Sequence, residues 1–220
     1  MPKIKIPKSS PSIDMTPMVD LAFLLVTFFM LSASFRSNEP VEVDVPSSIS
    51  DRIIPENIVM VTIDKGGRVF FNMSDPEARR ELLQNMSGKY KTALSQKQID
   101  EFVYMSTFGC SMQELPTYLS LESEKRKLFN TVGIPSDSTK NQLKDWIFYG
   151  NIAALNTGKT AYEEAKMKGE SPEVNDFKPK FILKVDGKAA YVHAQNVIST
   201  FRDLHLNNLN FVTSMEAAPL

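Results

Sequence analysis

The segment SIDMTPMVDLAFLLVTFFMLSASF, residues 12–35, joins a polar turn to an apolar run interrupted by a single carboxylate, Asp20. As an α-helix, the run from Pro17 to Phe35 rises roughly 28 Å, close to the ~30 Å hydrocarbon thickness of a bilayer. The segment therefore reads as a transmembrane helix over 17–35. Thr16 suits the N-cap, and Pro17 suits the first helical position, where its missing N–H costs nothing. Asp20 then closes the first turn. An ionised carboxylate in hydrocarbon costs a few kcal/mol, and such residues usually mark an ion or proton path. At about 100° per residue, Asp20, Thr27 and Ser34 share one stripe, while Met18, Ala22, Leu25 and Phe29 form an apolar face opposite. Such a stripe is expected to meet another protein rather than lipid. The bland alternative has Asp20 reaching the aqueous interface, with Thr27 and Ser34 bonding back to their own helix.

Charge around the run sets its direction. Lys3, Lys5 and Lys8 precede it, and Glu39, Glu42 and Asp44 follow it. The positive-inside rule keeps residues 1–16 in the cytoplasm and exports everything after Phe35. A cleavable signal peptide ending near Ser32-Ala33-Ser34 is the competing reading. Pro17 and Asp20 inside the apolar tract, and the tract's length, argue for an uncleaved helix. The remaining 36–220 provide a linker to about residue 57 and one exported domain over 58–220. A net charge of −1 and a pI near 6.2 give no footprint for nucleic acid. The single cysteine, Cys110, makes no internal disulfide and reads as a small buried hydrophobe.

Beyond the helix, VEVDVP (41–46) alternates Val41, Val43 and Val45 with Glu42 and Asp44, the pattern of a short strand ended by Pro46. Such a strand needs a sheet edge, whether its own, a second copy's or a partner's, and is expected to bind there. IVMVTID (58–64) and RVFFNM (68–73), split by Lys65-Gly66-Gly67, predict a β-hairpin. FILKVDG (181–187), YVHAQNVISTFRDLHL (191–206) and LNFVTS (209–214) predict strand, amphipathic helix and strand, with Val197, Ile198, Phe201 and Leu204 inward. Between these halves, residues from about 75 to 178 read as a mainly helical insertion. Ser74-Asp75-Pro76-Glu77 starts a helix, SMQE (111–114) is a possible capping box, and 134–150 holds a turn and a helix burying Leu143, Trp146 and Ile147. KMKGESPEVNDFKPK (166–180) is a surface connection. The fold class expected is α+β: one N-terminal transmembrane helix, then a small mixed sheet backed by helices.

The stretch IDMTPMVDLAFLLVTFFML (13–31) resembles the N-terminal signature of the ExbD/TolR family of biopolymer-transport proteins. Thr16, Pro17 and Asp20 stand at matching positions, and Asp14 replaces the more usual Asn. VEVDVP and the strand–helix–strand ending are similar to that family too. The long GIPSDSTKNQLKDWI-bearing insertion resembles ExbD-like proteins of the Bacteroidetes lineage. The resemblance implies a proton-driven subunit of the bacterial inner membrane in which Asp20 carries the proton. It also implies two copies inside a pentameric collar of a multi-span ExbB- or TolQ-like protein, and output to a TonB-like or TolA-like transducer. TonB-type outer-membrane transport is the first expectation and a TolR-like role in envelope integrity the alternative. From other classes come a passive membrane anchor for an interaction domain, and a flagellar-type stator subunit, whose peptidoglycan-binding pattern is missing here.

Chemistry points away from catalysis. There is no Gly-rich phosphate loop, paired-cysteine spacing or nucleophile elbow. NTGKT (156–160) lacks the upstream glycine of a phosphate loop. His193 and His205 read as ordinary surface histidines, and Glu163-Glu164 as a solvated helix face. No enzyme activity, metal or cofactor is expected.

Overall fold

The computed structural model describes residues 16–32, 47–48, 57–122, 125–126, 129, 131–137, 140–169, 171–212 and 214–215. The chain divides into two compact units, Met1–Ser37 and Asn38–Leu220. The first contains helix α1, Thr16–Ser32. It starts at Thr16 itself, one residue before the expected first position, and residues 33–35 of the expected span lie outside the described residues. Its 17 residues rise about 25 Å. Among the described residues, no helix is long and apolar enough to cross a membrane.

The second unit is built on a four-stranded mixed sheet. Strand β2 (Ile58–Ile63) pairs antiparallel with β3 (Val69–Met73) and parallel with β6 (Lys180–Val185), which pairs parallel with β7 (Leu209–Val212). The order is β3-β2-β6-β7. Val59, Val61 and Ile63 are fully buried in β2, which holds a central position. A separate two-residue strand, β1 (Ser47–Ser48), pairs parallel with β8 (Ser214–Met215), and β4 (Ser136–Asp137) pairs antiparallel with β5 (Lys140–Asn141). The predicted strand 41–46, with Val41, Val43 and Val45, lies outside the described residues.

The hairpin forms where it is predicted. Asp64 caps the turn: its Oδ1 accepts from the Gly66 and Arg68 amides at 2.9 and 2.8 Å, and its Oδ2 accepts from Arg68 Nε at 2.7 Å. Gly67 has φ +79, and a Cβ there would overlap the His193 ring, so only glycine fits.

Helix α2 (Pro76–Tyr90) starts as expected, with the Asp75 side chain accepting from the Glu77 amide and Pro76 in the first turn. It lies antiparallel to the 26-residue α5 (Gln142–Met167), as three contacts record. Lys89 Nζ and Tyr90 Oη reach Asp145 at 2.5 and 2.7 Å, and Asn156 Nδ2 reaches Glu81 at 2.6 Å. Leu143, Trp146 and Ile147 are fully buried, as predicted. The helix runs past Gly150, where the sequence reading ended it. Gly150 is a contact point rather than a stop, since a Cβ there would press to 3.1 Å from Phe71 Cζ. Trp146 joins Phe71, Phe102 and Phe108 in one aromatic cluster, where each full burial is worth roughly 1.5–3 kcal/mol.

The expected capping box at Ser111–Glu114 is only half formed. The Ser111 amide donates to the Glu114 carboxylate at 3.4 Å, but α4 (Leu115–Ser120) begins without a side-chain cap. The Glu114 and Leu115 amides donate to the Ser111 backbone carbonyl instead, at 3.1 and 3.0 Å. A complete box stands instead at Ser95 and Gln98, opening α3 (Gln96–Tyr104). The segment after α3 also closes the outer edge of β3: Phe71 and Phe108 exchange backbone hydrogen bonds of 2.8 and 3.2 Å. Strand β6 leads through residues 186–190 into α6 (Tyr191–Asp203), whose Val197 and Phe201 are fully buried and whose Ile198 is half-buried, with Leu204 following. The 166–180 connection is largely exposed, as expected.

Candidate functional site

Helix α1 is the candidate site, and its sequence fixes its character. TPMVDLAFLLVTFFMLS carries one charged side chain, Asp20, and apolar side chains around the full circumference. A helix apolar all round belongs in a protein core or a bilayer. In this chain it has neither: its large apolar side chains, from Val19 and Leu25 at 56 % to Met30 at 74 %, are exposed. Such a surface calls for lipid or partner helices. Ring stacking is confined to neighbours, with Phe28 and Phe29 edge to face at 5.9 Å.

Asp20 sits in the second turn of α1, exposed in the isolated chain, with Pro17 ahead of it. Thr27, two turns on, has its hydroxyl 3.0 Å from both the Phe23 and Leu24 carbonyls. It donates within its own helix, leaving its lone pairs as acceptors for a neighbour. Ser34 lies outside the described residues. Asp20 and Thr27 lie seven positions apart on one helix, about two turns, too far for direct contact.

In the second unit the titratable groups serve structure. Cys110 is free and fully buried, its thiol pushed up to about 12 by burial and then by Glu114. Asp145, held by Lys89 and Tyr90, ties α5 to α2. Burial and the bond to Asp145 push the Tyr90 hydroxyl upward. His193, His205, Glu163 and Glu164 are exposed. Among the described residues, no three metal-ligating side chains gather.

The sequence reading missed Arg79. Its Nε donates to the Met73 carbonyl at 2.6 Å, its Nη atoms to the Val103, Met105 and Ser106 carbonyls and to Asn72 Oδ1. Desolvation lowers it to about 10, with Asp75 opposing. Nothing in the local sequence marks it, because most of its acceptors come from 24 to 27 residues further along the chain.

A sequence model of the family described as Biopolymer transport protein ExbD/TolR matches residues 7–105. The match takes in α1 and Asp20 and continues through β2, β3, α2 and α3, the last two being helices that the sequence reading placed in the insertion. No curated protein and no solved structure matches the chain. The family consists of non-enzymatic transport proteins of the inner membrane. In general its members are subunits of biopolymer-transport motors, with ExbB or TolQ and TonB or TolA as partners. Over residues 7–105, a little under half of its length, the chain is similar to the ExbD/TolR family of biopolymer transport proteins.

Proposed function

We propose that the chain is the proton-carrying subunit of an inner-membrane motor that powers outer-membrane transport through a TonB-like protein. The observation that carries this reading is the lone charge of Asp20 in a helix whose other side chains are apolar but for Thr16, Thr27 and Ser32. The apolar segment 17–35 crosses the bilayer once. The N-terminal lysines stay in the cytoplasm, and the domain from 58 onward lies in the periplasm. Two copies stand inside a pentameric ExbB- or TolQ-like collar, so that one Asp20 holds a proton while the other faces a polar group of the collar. One proton moving down the membrane potential releases about 2.3 kcal/mol per 100 mV, enough to bias a conformational step. Thr16 and Pro17 start the helix, and Thr27 and Ser34 extend the face turned to the collar. Val41, Val43 and Val45 are the side chains offered to a sheet edge of the transducer or of a second copy. Of the residues from about 75 to 178 that the sequence reading took as an insertion, those up to 105 lie inside the family match, and the part beyond it is an insertion into the domain.

A passive anchor with Asp20 idle is the second reading. The Thr27 hydroxyl, donating to its own helix at 3.0 Å, favours it. Gentle extraction of the full chain from its own membrane, with mass-spectrometric identification of what comes with it, separates the two. The motor reading expects a multi-span protein in excess over this chain, and a TonB-like transducer. A TolA-like transducer would move the output to envelope integrity. Recovery of the chain without any multi-span protein would support the anchor.

A further inference from the structure

Three segments meet at the end of the sheet where β2 and β6 terminate. In the β2–β3 turn (64–68), Gly67 lies under the His193 ring. Residues 131–134 run beside the start of β3: the Ile134 amide donates to the Val69 carbonyl at 2.8 Å, and a Cβ on Gly133 would strike the Val69 nitrogen. Residues 186–193 join through the Asp186 amide, which donates to the Ile63 carbonyl at 3.0 Å.

The surface these segments present combines two kinds of side chain. Val132, Tyr191 and Val192 are 79 %, 73 % and 60 % exposed. Lys65, Lys188 and His193 are exposed around them, and Arg68 is partly so. Both carboxylates of the three segments are buried: Asp64 holds Arg68 and two amides, and Asp186 accepts from the Lys188 amide at 2.9 Å. The next carboxylate along the chain from 131–134, Asp137, is exposed but lies outside these segments, in the short strand Ser136–Asp137.

We propose that this end of the domain docks on an anionic lipid surface. Lys65 and Lys188 are exposed with no exposed carboxylate in the same three segments, which suits an anionic partner. Exposed valines and a tyrosine among those cations require one with an apolar layer beneath its charge. A bilayer with anionic headgroups provides both, whereas a soluble acidic peptide provides only the first. Tyrosine suits the headgroup level, with its ring in the apolar layer and its hydroxyl in water. The inference rests on the reading that α1 anchors the chain in a bilayer. Residues 33–56 reach at most roughly 80 Å, so an anchored domain stays within range of that surface.

The test places the full chain in nanodiscs with an energy-transfer acceptor on the lipid headgroups. A fluorophore is attached at Ser199→Cys, an exposed site on α6, while buried Cys110 stays unlabelled. Transfer should rise when phosphatidylglycerol is added to phosphatidylcholine, and fall with added salt. Lys65→Gln together with Lys188→Gln should cut the docked-to-undocked ratio roughly 30-fold, the equivalent of about 1 kcal/mol for each lysine near an anionic surface. Tyr191→Ser should lower transfer at every salt concentration. Transfer that ignores lipid charge, or that survives the lysine pair, overturns the proposal. So does a polyglutamate peptide that binds in a lysine-dependent way while transfer stays flat, which would assign the patch to an acidic chain. The readout is independent of motor activity, so an active Asp20 variant and a failure of docking are separate results.

Discussion

Arg79→Met should destabilise the exported domain by about 3–5 kcal/mol, a magnitude set by two opposing effects. Methionine keeps the apolar stem but removes the donors that hold Met73, Val103, Met105, Ser106 and Asn72. Hydrogen bonds from a charged donor contribute about 1.5–3 kcal/mol each, so five at the lower end come to roughly 7 kcal/mol. Against this stands the burial of the cation. Its lowering from 12.5 to about 10 corresponds to roughly 3 kcal/mol of desolvation, which the variant recovers. The difference matches the cost of breaking a buried charged cluster from one side. Denaturant unfolding of the full chain in detergent, followed by far-ultraviolet circular dichroism, reads it. Arg79→Lys should fall between the two, because an ammonium has three donors and no planar fork. A loss below about 1 kcal/mol for Arg79→Met would refute the view that this guanidinium clamps α2 and β3 to the segment after α3.

Other outcomes follow from the same geometry. Above pH 9 stability should decline: the Cys110 thiol titrates near 9 unfolded and near 12 folded, so its contribution is complete below 9 and lost as pH rises toward 12. Burial shifts Tyr118 the same way, and Cys110→Ala should flatten part of the slope in alkaline melts. Gly158→Ala should cost about 1–3 kcal/mol in thermal melts, because its Cβ would sit 2.2 Å from the Phe177 carbonyl oxygen. Thr27→Val should slow transport without stopping it. A lost bond to the collar of about 0.6–2 kcal/mol gives a roughly 3- to 30-fold change, measured as uptake rate under a limiting proton-motive force.

What the chain reveals before folding depends on how far apart the partners lie. The hairpin is legible because Lys65-Gly66-Gly67 separates two β-rich runs, and its turn chemistry is local. The start of α2 is legible for the same reason, with Asp75 and Pro76 adjacent. Trp146 could be placed in the core from helical periodicity, but the true length of α5 could not be read. Gly150 and Gly158 look like helix stops, yet each is small because another segment passes close by. The Ser95–Gln98 capping box was overlooked in favour of SMQE, where the box is only half formed. Arg79 and the cluster of Lys65, Val132 and Tyr191 depend on contacts between segments far apart in sequence, and no local pattern announces them. Asp20 is the opposite case, since one carboxylate in an apolar run is conspicuous from composition alone.

The central claim is that Asp20 carries the proton, and Asp20→Asn tests it most directly. Asparagine keeps the size and polarity of the side chain and removes its titratable proton. The measurement is growth that depends on TonB-type uptake, with the variant expressed in place of the wild-type chain and its amount in the membrane fraction verified by blot. The motor account predicts wild-type levels in the membrane and no growth, with Asp20→Glu restoring part of it. Full growth of the asparagine variant would contradict the account and leave α1 as an anchor.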